Sequence, residues 1–224
     1  MVGEMPSNIG SNTTKFLMVV AILAVAISLI SFISNYASYK SSGFVSVDTA
    51  KANLTIESKI DINFTVDGVN WGTGYVNVTD GLTNATLNTE GDMGGTGWNH
   101  VTQGLVLESL SNQNVTINLT SSNDALGFID TDSDHGSTYM WKITEDEVGS
   151  CGPNGVPGSA LNSSLLNYKS VADATSYPDG VVVCNNFYWG VSKNQLLIDI
   201  QVNVSADALP GARGSIITAT AASL

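Results

Sequence analysis

Positive charge is scarce in this 224-residue chain, which has 8 Lys and Arg residues, 20 Asp and Glu residues and a formal net charge of −12. Binding to nucleic acid depends on Lys and Arg side chains that displace the counterions of phosphate groups. The composition therefore argues against nucleic acid as a partner. It argues equally against docking of the folded part on an anionic membrane surface.

Motifs of catalysis are also missing. The chain has two histidines, His100 and His135, which lie far apart in the sequence. It contains neither the Gly-x-Ser-x-Gly motif of hydrolases nor the His-Glu-x-x-His motif of zinc enzymes. We therefore expect no catalytic residues, no enzymatic activity and no small-molecule substrate.

Cysteine is limited to Cys151 and Cys184. An even number of cysteines in an exported chain is typical of a disulfide, which here would close a loop of about 34 residues. Such a loop is stabilised by roughly 3–4 kcal/mol in chain-entropy estimates. The alternative is a pair of reduced cysteines in the core.

Uncharged residues are concentrated near the amino terminus. Residues 16–33 carry no charge, and an α-helix of this length is about 27 Å long, close to the thickness of the hydrocarbon core of a membrane. Three interpretations stay open: a retained membrane anchor, a cleaved secretory signal, or a helix packed in the core of a filament. In each of them the residues after Lys40 lie outside the cytoplasm.

Apolar residues at every second position organise the remainder of the chain. This period predicts long strands with one buried face at residues 53–66 and 196–204. Shorter strands are predicted at residues 75–79, 85–87, 105–110, 115–120, 139–144, 181–184, 187–189 and 215–220. So many short strands, separated by turns rich in Gly, Asp and Asn, predict an all-β fold, namely an antiparallel immunoglobulin-like β-sandwich after one long hydrophobic α-helix.

We accordingly expect four parts along the chain. They are a polar segment at residues 1–15, the hydrophobic helix and its extension at 16–40, a linker at 41–52, and an extracellular sandwich domain at 53–224. Within the sandwich, residues 145–178 are rich in Gly and Pro and form a long loop insertion. A loop of this length needs a function or a cross-link, and the predicted disulfide is such a cross-link.

Three aspartates alternate in one short turn. Asp130, Asp132 and Asp134 precede Gly136, and alternate residues of a turn can direct several oxygens at one divalent cation. Calcium is therefore a candidate ligand and the one cofactor considered, with residues 145–147 as conceivable remote ligands. The alternative is an acidic turn exposed to water.

Asn-x-Ser/Thr sequences are about twice as frequent as random pairing of these residues would produce. Eight of them follow the apolar run, and each is a candidate glycosylation site: Asn53, Asn63, Asn77, Asn84, Asn114, Asn118, Asn162 and Asn203. The same pattern also arises without sugars, because polar residues alternate on the exposed face of a strand.

Aromatic residues allow a further hypothesis. Phe187, Tyr188 and Trp189 are consecutive, and exposed aromatic faces can stack on sugar rings, which would make the domain a carbohydrate-binding module. Trp71, Trp98 and Trp141 are scattered, and a tryptophan in a sandwich more often fills the core.

The layout of an amino-terminal apolar helix followed by an acidic, sequon-rich β-domain resembles archaeal cell-surface proteins, including archaellins and other type IV pilin-like subunits. Residues 202–222, with the Asp-x-x-Pro-Gly turn at 207–211, and residues 104–119 are similar to paired strands in these proteins. The resemblance implies a structural cell-surface protein. Its partners would be the membrane, through residues 16–33, or identical subunits in a filament. The alternative function is an anchored adhesin or carbohydrate-binding module.

Overall fold

The computed structural model describes residues 15–29, 54–130, 135–171 and 177–224. The chain divides into two units, Met1–Thr55 and Ile56–Leu224. In the first unit, residues 15–29 form an α-helix whose side chains are exposed. No helix in these described ranges has the length and hydropathy of a membrane span. Residues 30–33 of the predicted apolar helix, its extension to Lys40 and the linker at 41–52 lie outside the described residues.

The second unit consists of antiparallel β-sheets, which confirms the predicted all-β class. Its described residues form eleven strands: β1 (Ile62–Val66), β2 (Gly72–Tyr75), β3 (Asn84–Asn88), β4 (Thr96–Trp98), β5 (Leu105–Ser109), β6 (Val115–Ser121), β7 (Thr138–Glu145), β8 (Lys169–Ser170), β9 (Val181–Phe187), β10 (Gln195–Ser205) and β11 (Ile217–Ser223). Short 3₁₀ turns and one π-helical turn, Leu126–Asp130, connect them.

Strand β10 is the centre of the six-stranded sheet. One of its edges pairs with β7, and the other pairs first with β5 and then with β3. Strand β1 pairs with β5, and β8 pairs with β7, so β1 and β8 are the outer strands of this sheet. A second sheet has the order β11-β6-β9, and β2 pairs with β4.

The alternation seen in the sequence explains the core. The apolar side chains of β10 at alternate positions from Leu196 to Val202 are buried, and so are those of β6 from Val115 to Leu119. One cluster of buried side chains includes residues of both larger sheets, among them Leu107, Ile117, Trp141, Phe187 and Ile198. A buried apolar face on each sheet is therefore covered in part by side chains of the other.

The predicted strand at residues 53–66 is shorter than its sequence pattern. Strand β1 begins at Ile62, and the side chains of Leu54 and Ile56 are 83% and 79% exposed. The physical reason is the length of the partner strand, because Ile62 already pairs with Ser109, the last residue of β5. Beyond that pair, hydrogen bonds from Leu110 N–H to Asp61 O at 2.9 Å and from Asn112 N–H to Lys59 O at 3.1 Å still hold the segment, but β5 has ended and β6 follows.

Other predicted strands also differ from the observed ones. The strand predicted at residues 75–79 is wrong, since β2 ends at Tyr75 and Val78–Asp80 is a 3₁₀ turn capped by the Asn77 side chain. The strand predicted at 181–184 is part of β9, which extends to Phe187, whereas the strand predicted at 187–189 is wrong because Tyr188 and Trp189 follow the end of β9. The predicted loop at 145–178 contains two 3₁₀ turns, Pro153–Gly155 and Ser163–Leu165, and strand β8, while its residues 172–176 lie outside the described ranges.

The shared core predicts unequal costs for the same substitution at a buried and an exposed isoleucine. We expect Ile198→Ala to lower the free energy of unfolding by about 2–5 kcal/mol, because it removes buried methyl groups and leaves a cavity. Ile216→Ala is the matched control, since Ile216 is 70% exposed, and it should change stability by less than about 0.5 kcal/mol. Urea denaturation followed by tryptophan fluorescence measures both, and equal costs would contradict the assignment of the core.

Candidate functional site

Asp130 is the member of the predicted calcium turn that the structure describes. It is 1% exposed, and its Oδ2 accepts hydrogen bonds from the backbone N–H groups of His135, at 3.1 Å, and Ser137, at 3.3 Å. Its Oδ1 is buried with no hydrogen-bond partner among the described residues. Asp132 and Asp134 lie outside those residues. Asp130 thus holds the start of β7 in place, and none of the described residues binds its second carboxylate oxygen.

The conceivable remote ligands at residues 145–147 cannot share a cation with Asp130. They lie at the opposite end of β7, which spans about 23 Å at 3.3 Å per residue. The Glu145 carboxylate instead accepts backbone N–H groups of Gly149, Cys151 and Gly158 at 3.0, 2.8 and 2.8 Å. No group of three or more potential metal ligands occurs within the described ranges.

Cys151 and Cys184 form a disulfide, as the sequence predicts. Their Cα atoms are 5.8 Å apart and both residues are fully buried. The cross-linked loop runs alongside β9, since Asn162 N–H donates to Val183 O at 2.9 Å and Tyr188 N–H donates to Ser150 O at 2.8 Å. The bond therefore joins a loop that backbone hydrogen bonds also hold against the sheet.

The candidate glycosylation sites fall into two groups. The side chains of Asn63 and Asn84 are exposed, and neither makes a hydrogen bond within the part of the chain that the structure describes. An N-linked sugar is attached to the side-chain amide nitrogen, Nδ2. In the second group of sites this Nδ2 atom already donates a hydrogen bond: Asn77, Asn114, Asn118 and Asn162. Asn203 is half-buried, and Asn53 lies outside the described residues. Asn63 and Asn84 are therefore the best placed acceptors.

A network of polar side chains on the outer face of the six-stranded sheet was not predicted from the sequence. Cross-strand pairing of β7 with β10 places Lys142 opposite Asp199, and their side chains are 3.4 Å apart. Lys142 also pairs with Glu90, and Thr89 Oγ1 donates to Asp199 Oδ1 at 2.9 Å. Thr89 Oγ1 in turn accepts the N–H of Ile200 at 3.0 Å, between the parts of β10 that pair with β5 and β3.

Electrostatics within this network favour the charged forms of Glu90 and Lys142 and the neutral form of Tyr168. The hydrogen bond from Lys142 lowers the pKa of Glu90. Burial opposes the charge on Lys142, but the Glu90 and Asp199 carboxylates outweigh it and raise the pKa of Lys142. Burial and the adjacent Glu90 carboxylate, which accepts a hydrogen bond from the hydroxyl at 3.0 Å, raise the pKa of Tyr168. The groups bind one another across the sheet, so the network is a structural clamp.

The aromatic residues divide between core and surface. Trp141 and Phe187 are buried in the core, whereas Trp71 and Trp98 are partly buried against it. Tyr188 is half-buried and Trp189 is 47% exposed. These two side chains border a shallow cavity of about 500 Å³, whose other lining residues are Asn112, Gln113, Asn114, Asn154 and Leu224. This cavity, defined here as the amide–aromatic cavity, is the candidate binding site.

A second cavity, of about 690 Å³, is lined at one rim by His135 and Asp207. His135 Nδ1 and Asp207 Oδ2 are 3.2 Å apart, and the hydrogen bond from Ser205 lowers the pKa of Asp207, with a smaller contribution from His135. Both residues lie at the same end of the domain as Asp130, to which His135 N–H donates a hydrogen bond. The pair joins His135, which precedes β7, to the turn after β10.

Comparisons with known protein families, with curated proteins and with solved structures find no match to this chain. Its resemblance to archaellins and pilin-like subunits therefore stays a prediction. Function has to be argued from the geometry of the described residues.

Removal of the disulfide should destabilise the domain without abolishing its fold. We expect the double variant Cys151→Ala, Cys184→Ala to lose about 3–4 kcal/mol of unfolding free energy, because its unfolded chain is no longer cross-linked. Urea denaturation measures this loss, and reduction of the wild-type protein with dithiothreitol should reproduce it. An oxidised wild-type protein no more stable than the reduced one would contradict the expectation.

Calcium binding at the Asp130 turn remains a sequence-based hypothesis that titration can decide. Extracellular calcium sites commonly have dissociation constants of about 10⁻⁴–10⁻³ M, so about 10 mM calcium chloride should stabilise the wild-type protein by roughly 1–3 kcal/mol. The melting temperature should then rise in the wild type and in Asp67→Asn, an exposed control, but not in Asp130→Asn. Absence of both a melting shift and binding heat would exclude the site.

Proposed function

We propose that the protein is a structural component of the cell surface, anchored in the membrane or assembled into a pilus-like filament through residues 16–33. The single observation that carries this proposal is the buried disulfide between Cys151 and Cys184. Disulfides form and persist in oxidising surroundings outside the cytoplasm, and they are rare in reducing ones. A domain that contains a buried disulfide and follows an uncharged stretch of eighteen residues fits a domain displayed outside the cell.

The displayed domain would be an immunoglobulin-like β-sandwich. In support of this, the sheet β1-β5-β10-β7-β8 and the sheet β11-β6-β9 contribute side chains to one buried cluster. Strands β5 and β6 are consecutive and belong to different sheets, a connection that is typical of sandwiches. The excess of acidic residues would keep this domain soluble at the surface.

Contacts between subunits would involve an exposed extended segment and an open sheet edge. Residues 54–60 retain the alternation of a strand, yet Leu54 and Ile56 are largely exposed. Strand β11 pairs with β6 and, within the described part of the chain, with no other strand. It contains no charged residue, and lysines are a common protection of sheet edges against pairing. A second copy of the chain could thus add a strand here.

A second candidate function, that of an anchored adhesin or carbohydrate-binding module, is favoured by one observation. Trp189 exposes nearly half of its side chain beside amide side chains. This candidate is compatible with the first, because filament subunits and anchored proteins can both carry binding sites.

Electron microscopy of three purified variants tests the structural proposal. We expect negatively stained filaments or membrane-bound particles for the full chain and dispersed particles for a chain lacking residues 1–40. The variant Leu54→Lys, Ile56→Lys retains the apolar helix and tests the strand contact, since two charges would prevent burial of this segment. Val191→Lys is a matched control with a lysine at another exposed apolar position.

The outcomes separate the alternatives. Loss of filaments in the deletion variant alone supports contacts through the helix, and loss in the Leu54, Ile56 variant supports strand addition. The amino-terminal sequence of the mature protein distinguishes a retained helix from a cleaved signal. A full-length protein that stays dissolved in the cytoplasm with reduced thiols would refute the proposal.

A further inference from the structure

We propose that the amide–aromatic cavity binds a neutral saccharide. This inference rests on the second candidate function, that of a carbohydrate-binding module, and deepens it by assigning a binding site and a class of ligand to particular residues. It rests on the shape and lining of the cavity and does not require that the protein form filaments.

Four separate segments build the cavity, and one of them is Leu224, which follows β11. Residues 112–114 lead into β6, Tyr188 and Trp189 follow β9, and Asn154 belongs to the disulfide-linked loop. Asn154 adopts a left-handed conformation with φ of 56°, which asparagine tolerates better than most residues. The disulfide and the hydrogen bond from Tyr188 N–H to Ser150 O fix this loop against the end of β9.

The aromatic side chains form a fixed platform. Their ring centroids are 6.1 Å apart with planes inclined by 35°, so the two rings present adjoining faces. The Tyr188 ring packs on the backbone of Gly190, where an added Cβ atom would lie 2.3 Å from Tyr188 Cε1. Gly190 therefore allows the ring to adopt its orientation. The C–H faces of a pyranose ring are apolar and pack on such aromatic surfaces.

The amide side chains provide hydrogen-bonding groups beside this platform. Asn112 is engaged, because its Oδ1 accepts the N–H of Lys59 and its Nδ2 donates to Glu57 O. Asn114 donates from Nδ2 to Asn186, which leaves its buried Oδ1 without a partner in the described residues. The amides of Gln113 and Asn154 make no hydrogen bond within the same residues. The complete amides of Gln113 and Asn154 thus remain for a ligand, whereas the unpaired Asn114 Oδ1 is buried beneath the surface.

The lining chemistry selects the class of ligand. Each free amide both donates and accepts hydrogen bonds, which matches hydroxyl groups that do the same. The lining side chains are uncharged, and the net charge of −12 disfavours anionic ligands such as nucleic acid or acidic sugars. A purely apolar ligand would bury the amides without partners, at a cost in free energy. A neutral sugar can both pack an apolar C–H face on the aromatic rings and exchange hydrogen bonds with the free amides.

Binding can be measured with the full-length protein in a detergent that has no sugar headgroup. The probe is an array of neutral oligosaccharides with terminal glucose, galactose, mannose or N-acetylglucosamine, together with sialylated oligosaccharides. We expect the wild type to bind at least one neutral terminus. Trp189→Ala should weaken that binding at least about tenfold, equivalent to roughly 1.4 kcal/mol. Trp189→Phe should retain most of it because an aromatic face remains.

Two further variants test the arrangement of the site. Gln113→Ala should weaken binding without changing the melting temperature, because it removes an amide that makes no contact needed for folding. Tyr75→Ala is a matched control, since Tyr75 is an exposed aromatic residue outside the cavity, and its affinity should equal that of the wild type.

Several results would overturn the inference. They are a wild-type protein that binds no probe, one that binds only sialylated probes, and a Trp189→Ala variant that binds as tightly as the wild type. These results are independent of the filament experiment, so failure of either proposal can be recognised separately.

Discussion

Hydrogen bonding along both edges of β10 is the constraint on which the rest of the domain depends. One edge pairs with β7 and the other with β5 and β3. Strand β10 therefore aligns three strands that are distant from it in the sequence. Pleating then directs alternate residues to opposite faces. Ile198 and Ile200 enter the core on one face, and Asp199 joins the clamp of Lys142 and Thr89 on the other. A slip of one residue would bury Asp199 in apolar surroundings and expose the isoleucines, which makes this register strongly specified.

The disulfide has a different role, because it secures a loop that is not part of a sheet. The Glu145 carboxylate accepts hydrogen bonds from three backbone N–H groups of this loop. The disulfide joins Cys151 of the loop to Cys184 in β9. The loop brings Asn154 to the side of the domain where Tyr188 and Trp189 leave β9. The proposed saccharide site is therefore a consequence of the same cross-link that supports the proposed location outside the cytoplasm.

Much of the fold was predictable because its signals are local. The period of two at residues 115–120, 139–144 and 196–204 identified β6, β7 and β10 closely, since one face of each strand lies in the core. The same signal failed at residues 54–61, where the polypeptide has the pattern of a strand but its partner β5 has ended. It also failed to join residues 181–187 into β9, since paired polar residues at Asn185 and Asn186 interrupt the alternation.

Sequence by itself determined the chemistry that composition and spacing carry: an all-β domain, a single pair of cysteines and an apolar amino-terminal segment in an acidic chain. Tertiary structure alone decided which residues meet. Glu90 and Lys142 are 52 positions apart, and the lining of the amide–aromatic cavity comes from four segments of the chain. Periodicity records only which face of a strand is buried, whereas contacts between strands depend on pairing order and register. Those are set by the packing of the whole domain, which no local stretch of sequence specifies.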